Sequence, residues 1–444
     1  MSSFSNMKPI DDARKLGYPK IFVLGIQHLF AMFGATILVP VLTGLPVSTA
    51  LIFSGIGTLF FHSITRMHVP IYLGSSFAFI GGYLTVKTAG MNMGMSDVLA
   101  LDYACIGVLG AALFYFLLAA LVKFYGVQKV LRFFPPIVTG PIVIAIGLVL
   151  SGSAIEHCQE NWLVAFTAFA AIIVANIWGR GFFRIIPVFI GVICSYVVAV
   201  CLGEVDFSSV EQAPWIYWPF SDSSTVLAVF EEPDYAFMVS AILTVAPIAI
   251  ATIVEHIGDM CAVSSTVDKN FLEKPGLHRT LVGNGVATFV AAFFGAPANT
   301  PYSENTGVLN LTRVYDSMVI RLAAIFAIVL SFCPKFAELI CIMPLATIGG
   351  ASLILYGMIS SIGVRNLVDA KSDFGSARNI IIVAAILVLA IGIKYGADDQ
   401  LQIGRFSFSG LAVAAVVGVI LNIVLPRNHN GGEEQETKPQ EGKI

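Results

Sequence analysis

The chain has 444 residues, of which 57% are hydrophobic and only 12% charged, with a mean hydropathy of +0.84. Soluble domains carry about 45–50% apolar and about 25% charged residues, so this composition excludes a soluble globule. The net charge of −3 gives no electrostatic reason to expect a nucleic-acid partner.

In chain order, residues 1–19 are polar, show no cleavable leader pattern, and are expected to form a cytoplasmic segment. A spanning helix takes about 20 apolar residues. Reading for such runs gives fourteen segments, near 20–42, 45–63, 70–87, 98–122, 133–151, 161–178, 183–202, 235–259, 280–295, 300–313, 316–333, 339–360, 377–394 and 405–425. The expected fold class is an all-α polytopic membrane protein. Segments three and ten are short and rich in Gly, Ser, Thr, Asn or Pro, and are expected to be broken. The seven cysteines are odd in number and scattered, without zinc-type spacing, so they read as small core residues. Neither a metal site nor a cofactor is expected.

Charge supports the count. With the N-terminus inside, 21 of the 25 Lys and Arg residues fall on the cytoplasmic side, leaving Lys87, Lys335, Lys394 and Arg405 outside. The loop 204–234 would be extracytoplasmic and holds seven acids and no Lys or Arg. The positive-inside rule therefore favours fourteen spans with both ends cytoplasmic. The tail 426–444, with Gly-Gly-Glu433-Glu434-Gln-Glu436, is expected to be disordered.

The two broken segments lie seven apart. Pro136-Ile-Val-Thr139 in segment five is echoed by Pro344-Leu-Ala-Thr347 in segment twelve, at the same offset. Segments seven and fourteen both run from an Arg–Phe pair into helices containing Gly191 and Gly410. Seven is odd, so a second copy enters from the opposite face, which makes 20–203 and 235–425 an inverted repeat. In that plan broken helices meet near the midplane and offer free N–H groups to a substrate. Pro70 and Pro301 suit extended chain or a helix start, and Ser75, Ser76 and Ser303 suit caps.

Gly295 to Arg313 carries Glu304 among prolines, glycines and asparagines. A carboxylate at membrane depth costs roughly 2.5–3.5 kcal/mol or more and reads as functional. The competing reading is an extramembrane loop. Segment eight ends Ile-Val-Glu255-His256-Ile-Gly-Asp259, which puts Glu255 and Asp259 on one helical face and His256 about 100° away. Two carboxylates close together in a poorly solvated site do not both ionise easily, which would make one a proton acceptor near neutral pH. The plainer reading is a helix end emerging into water.

Several motifs in order carry a family resemblance from about residue 20 to 425. They are Gly25-Ile-Gln27-His28-Leu-Phe-Ala-Met-Phe-Gly34, Leu73-Gly-Ser-Ser-Phe77-Ala-Phe79, Pro275-Gly-Leu-His-Arg279, Glu304-Asn305-Thr306-Gly307-Val-Leu-Asn-Leu-Thr312-Arg313, and Leu355-Tyr356-Gly357. The chain resembles the nucleobase–ascorbate transporters, and within them the bacterial uracil permeases. The resemblance implies fourteen segments in two inverted sevens, with one to four and eight to eleven forming a core and the rest a gate. It implies a base held between segments three and ten by Glu255 and Glu304, with backbone N–H groups at Phe77 and Ser303 serving its carbonyls. Tyr302, Tyr356 and His28 match polar or aromatic positions near that site, and Asn305, Gly307 and Thr312 belong to the signature. It also implies proton symport, in which Glu255 and Asp259 would take part, a bacterial plasma membrane surrounded by lipid, and a homodimer. Two residues depart from the pattern: Asp259 replaces a second His, and Ser303 replaces a Gly beside the motif Glu.

Uracil is neutral and presents N–H donors flanked by carbonyl acceptors, so carboxylates and helix-start N–H groups match its edge. A xanthine-like dione shows a similar edge and is not excluded by it. A channel would need a continuous polar pore, whereas the acids cluster at one depth. An enzyme would need a nucleophile–base or metal constellation, and none has usable spacing. Asn176, Thr244 and Thr252 are expected to satisfy neighbouring backbone. His62, His157 and His278 are expected at interfaces or in loops, and Asn284 in a helix pair.

Overall fold

The computed structural model describes residues 9–184, 186–219, 225–397, 401–403 and 406–426. The tail from Arg427, Lys8 and Arg405 lie outside the described residues.

Backbone N–H and C=O groups find no partner in hydrocarbon, so an apolar chain closes them into helices. The first half runs α1 (Tyr18–Thr43), α2 (Val47–Ile64), strand β1 (Leu73–Ser75), a 3-10 turn (Phe77–Phe79), α3 (Ile80–Asn92) and α4 (Asp97–Tyr125). It continues through the short α5 (Val127–Leu131), α6 (Pro136–Cys158), α7 (Trp162–Ile177) and α8 (Pro187–Cys201). After α9 (Ser208–Gln212) come α10 (Tyr235–Val245), α11 (Ala249–Val267), α12 (Leu277–Phe293), strand β2 (Asn299–Pro301) and α13 (Ser303–Thr312). The chain then forms α14 (Ser317–Ser331), α15 (Pro334–Cys341), α16 (Leu345–Asp369), α17 (Ala377–Gly396), the hairpin β3 (Leu401–Ile403) and β4 (Phe406–Phe408), and α18 (Gly410–Val424).

Among the described residues seven helices are long and apolar enough to cross a membrane: α1, α2, α4, α6, the α10–α11 run, α16 and α17. Together α14 and α15 meet the same test but bend by 86°, and α7, α8 and α18 are apolar but shorter. Packing falls into two groups. In one, α12 lies against α2 and α4, and α14 against α1 and α2. In the other, α16 lies against α6 and α7, and α17 against α6 and α18. The α6–α16 contact is backbone-close, since a Cβ on Gly147 would strike the Tyr356 carbonyl.

Segments three and ten are broken as expected, and they meet. β1 and β2 pair antiparallel, with Leu73 opposite Pro301, Gly74 opposite Thr300 and Ser75 opposite Asn299. Extended backbone at this depth needs partners from outside a helix, and neighbouring side chains supply them. Thr58 Oγ1 accepts from Leu73 N (2.9 Å) and donates to Leu73 O (3.2 Å). Thr288 Oγ1 does the same for Asn299, at 3.3 and 3.1 Å. Tyr83 OH accepts from Ala298 N at 3.2 Å, and the His62 ring binds Ile71 O at 2.9 Å. Asn299 Nδ2 donates to Phe53 O and Ala287 O, both 3.2 Å, and so ties β2 to α2 and α12.

Three expectations are corrected. The serines do not cap: Ser75 Oγ instead donates to Thr36 O (3.2 Å), Ser76 makes no side-chain cap, and the cap of α13 is Tyr302, so Ser303 is its first helical residue. His62 is not in a loop but in the last turn of α2, fully buried, where its ring holds Ile71 O. Segment eight is not one helix ending at Asp259. It breaks into a 3-10 turn at Ala246–Ile248 around Pro247, and α11 continues to Val267.

Asn299→Leu removes two buried side-chain hydrogen bonds to carbonyls of α2 and α12, worth about 0.5–1.5 kcal/mol each. The purified protein should melt several degrees lower than wild type in a thermal-shift measurement. Thr266→Val should change nothing, since the Thr266 hydroxyl bonds only Ala262 O at an exposed position.

Candidate functional site

The β1–β2 pair sets two helix starts side by side, at Phe77 and at Ser303. Neither start has a side-chain cap, so the first-turn N–H groups keep their donor capacity. Phe77 lies against α16, its ring meeting that of Tyr356 edge-on at 6.1 Å and 80°.

α11 packs on α13. This contact brings Glu255 and Asp259 of α11 close enough to Glu304 of α13 for the three carboxylates to interact electrostatically. All three are half-buried. Because α11 runs two further turns past Asp259, the acids sit within a packed helix and not at an emerging end. His256 takes the other face, where it is buried, hydrogen-bonds Thr280 Oγ1 at 3.0 Å and packs edge-on to Phe61 and Tyr115. Thr252 bonds Ala249 O and Tyr115 OH, and Thr244 bonds Ser240 O, so both satisfy local partners.

Asn305 is fully buried and donates through Nδ2 to His28 O (3.0 Å) and His28 Nδ1 (3.1 Å), which fastens α13 to α1. His28 Nε2, Asn305 Oδ1 and Thr306 Oγ1 remain buried without a hydrogen-bond partner among the described residues. Unpaired buried polar atoms are uncommon and mark places where water or a ligand completes the pairing. Tyr302 is also buried, donating to Ser75 O at 2.8 Å and accepting from Thr36 Oγ1 at 3.3 Å. Its ring covers Gly74 so closely that a Cβ there would collide with it. Thr312 Oγ1 donates to Val308 O and accepts from Val314 N, closing α13 ahead of Arg313 in the left-handed region (φ 55°).

A cavity of about 790 Å³ opens beside α13. Glu304, Gly307 and Asn310 form one wall, Phe30 and Gly34 of α1 another, and Leu355 and Met358 of α16 a third. Asn176 at the end of α7, and Arg180 and Arg184 between α7 and α8, line its remaining side. A Cβ on Gly307 would touch no protein atom, so the missing side chain leaves space in the cavity itself. Of the site residues expected from the sequence, Glu304 and Gly307 line this cavity. Ser303 is exposed, while Phe77, Tyr302, Tyr356 and His28 are buried around the two helix starts. Sequence reasoning misses Asn310, Arg180 and Arg184 as site residues and gives Asn176 a backbone role. For Asn310 a signal exists, since 303, 307 and 310 fall on one helical face. Among the described residues no group of three or more His, Cys, Asp or Glu could hold a metal ion.

A permease-family model matches residues 19–398. A uracil permease of Bacillus caldolyticus is 41% identical over 419 residues, covering 92% of this chain and 93% of that protein. A uracil permease of Bacillus subtilis is 39% identical over 428 residues, 94% of each chain. Among solved structures, the transmembrane domain of a cyanobacterium bicarbonate transporter, BicA, superposes with a TM-score of 0.62 at 14% identity. It covers 94% of this chain and 100% of that one, a likeness of fold alone.

Tyr302→Phe removes the donor to Ser75 O and should lower the melting temperature by the worth of one buried hydrogen bond, about 1 kcal/mol. A variant as stable as wild type would show that the hydroxyl does not hold the two strands together.

Proposed function

The chain belongs to the nucleobase–ascorbate transporter family, and on that premise we propose that it imports uracil by proton symport across the bacterial plasma membrane. The observation that carries this reading is the antiparallel pairing of Leu73–Ser75 with Asn299–Pro301, which sets two uncapped helix starts beside Glu304. A uracil ring between them would give its N–H groups to Glu304 and Glu255 and take N–H donors from the backbone at Phe77 and Ser303. Phe77 would face the flat ring, Tyr356 would back Phe77, and Tyr302 and His28 would hold the two helix starts in position. Asn305 and Thr312 would fix α13, and Gly307 would keep the route from the cavity open.

Proton coupling follows from the acid cluster. Three carboxylates in one poorly solvated contact do not all carry charge together, so a proton taken up beside the base lowers the repulsion. Asp259, one turn from Glu255, would then share that proton. The two packing groups supply bodies for alternating access, with the base on the first and Tyr356 on the second. An antiparallel β1–β2 pair is also what two inverted seven-segment repeats would produce, and the distribution of basic residues supports a reading with both termini cytoplasmic.

Uptake of labelled uracil into proteoliposomes should be saturable and driven by an inward proton gradient. Glu304→Gln and Glu255→Gln each replace a charge-assisted hydrogen bond by a weaker one and should cut uracil affinity about 10- to 100-fold. Wild-type affinity and uptake in both variants would remove them from the site. Asp259→Asn should displace the pH profile of uptake more than it weakens binding at saturating protonation, and an unmoved profile would take Asp259 out of coupling. Gly307→Leu should abolish uptake with a wild-type melting temperature, because a Cβ at this position meets no protein atom within 4 Å. Competition by xanthine as strong as by uracil would assign the site to a larger base.

A further inference from the structure

A second cavity, of about 980 Å³ and lined by none of the three clustered acids, lies between the C-terminal ends of α4 and α18 and the chain entering α6. Its walls are apolar: Leu118 and Leu121 of α4, Val419 and Ile423 of α18, and Phe133 and Phe134 ahead of α6. Leu121, Phe133 and Ile423 are exposed, so this face is open to whatever surrounds the protein. Its rim carries Lys129 and Arg132, and no Asp or Glu lines it. Among the described residues neither cation forms an ion pair with an acid. Tyr125, on the same rim, is exposed, as aromatic side chains are at the level of lipid headgroups.

The rim is fixed to the wall. Asn422 of α18 donates through Nδ2 to Arg132 O (3.3 Å) and Phe133 O (3.4 Å). Arg378 holds Asn422 in turn, donating to its Oδ1 at 2.8 Å and its carbonyl at 2.7 Å. The backbone that carries the cations is thus tied to the helix that supplies the apolar surface.

We propose that this groove is a binding site for an anionic glycerophospholipid, with the phosphate held by Lys129 and Arg132 and acyl chain laid along Leu121, Val419 and Ile423. Basic residues at the edge of an apolar groove between membrane helices match that amphiphile, charge to headgroup and hydrocarbon to tail. The volume is at the top of the range of about 300–1,000 Å³ for small-molecule sites, which suits part of a lipid more than a small polar solute. The chain's own continuation leaves Pro426 at the groove and carries Glu433, Glu434 and Glu436. It offers no large apolar residue before Ile444, so it could neutralise the rim but not cover the walls.

The site joins α4 of one packing group to α6 and α18 of the other, so its occupant would bridge the two. The test is native mass spectrometry of the full-length detergent-purified protein titrated with phosphatidylglycerol or phosphatidylcholine. Phosphatidylglycerol should be retained at least 10-fold more tightly, and K129Q/R132Q should lose most of that preference, since each cation near an anionic lipid is worth roughly a factor of five. The charge-keeping K129R/R132K should retain it. Equal retention of both lipids by wild type, or an undiminished preference in K129Q/R132Q, overturns the proposal. Retention in E433Q/E434Q/E436Q should match wild type; a rise there would give the rim to the acidic tail and overturn it as well.

Discussion

Two stretches of extended backbone, Leu73–Ser75 and Asn299–Pro301, lie buried in the interior of this membrane protein, and the site depends on keeping their peptide groups paired. A helix satisfies its own backbone; a three-residue strand cannot. The two strands pair with each other, and Thr58, Thr288, Tyr83, His62 and Asn299 reach in from α2, α3, α12 and the strands themselves. That shell explains why polar residues sit fully buried on otherwise apolar helices. None of them is free to meet a substrate, because each already holds a backbone group.

Once the strands are fixed, the chemistry of the site follows from where they stop. Each strand gives way to a helical turn without a side-chain cap, so donor capacity is left at Phe77 and Ser303. α11 then packs on α13 and brings Glu255 and Asp259 close enough to Glu304 to interact electrostatically. Donors on one side and carboxylates on the other match a flat ring that alternates N–H and carbonyl. In the proposed cycle the same carboxylates, crowded where water is scarce, would provide the place for a proton. Binding and coupling are therefore two consequences of one arrangement in the proposed cycle.

Much of this is legible in the sequence. Prolines, glycines and asparagines inside apolar runs mark the two breaks, because such residues survive at membrane depth only where something else pairs the backbone. The four-residue spacing of Glu255 and Asp259 puts them on one face of any helix that contains both. The capping role expected of Ser75, Ser76 and Ser303 is not realised, since a hydroxyl near a helix start is drawn to whichever unpaired group is closest, here Thr36 O for Ser75. His62 departs from expectation for a related reason: its partner, Ile71 O, becomes available only when segment three is broken and folded back on α2. The break at Ala246–Ile248 is hidden within a long apolar run, with Pro247 as its one local signal. Arg180, Arg184 and Asn176 carry no local signal for the cavity at all, because its walls come from α1, α7, α8, α13 and α16, which only the packing brings together.

The claim that the base sits between the two broken segments is tested most directly by a crystal structure with 5-bromouracil, located by the anomalous scattering of bromine. The account predicts one bromine peak between the helix starts at Phe77 and Ser303, with the ring edge within hydrogen-bond reach of Glu255 and Glu304. A fully occupied bromine elsewhere, with that space filled by protein or ordered water, would contradict it.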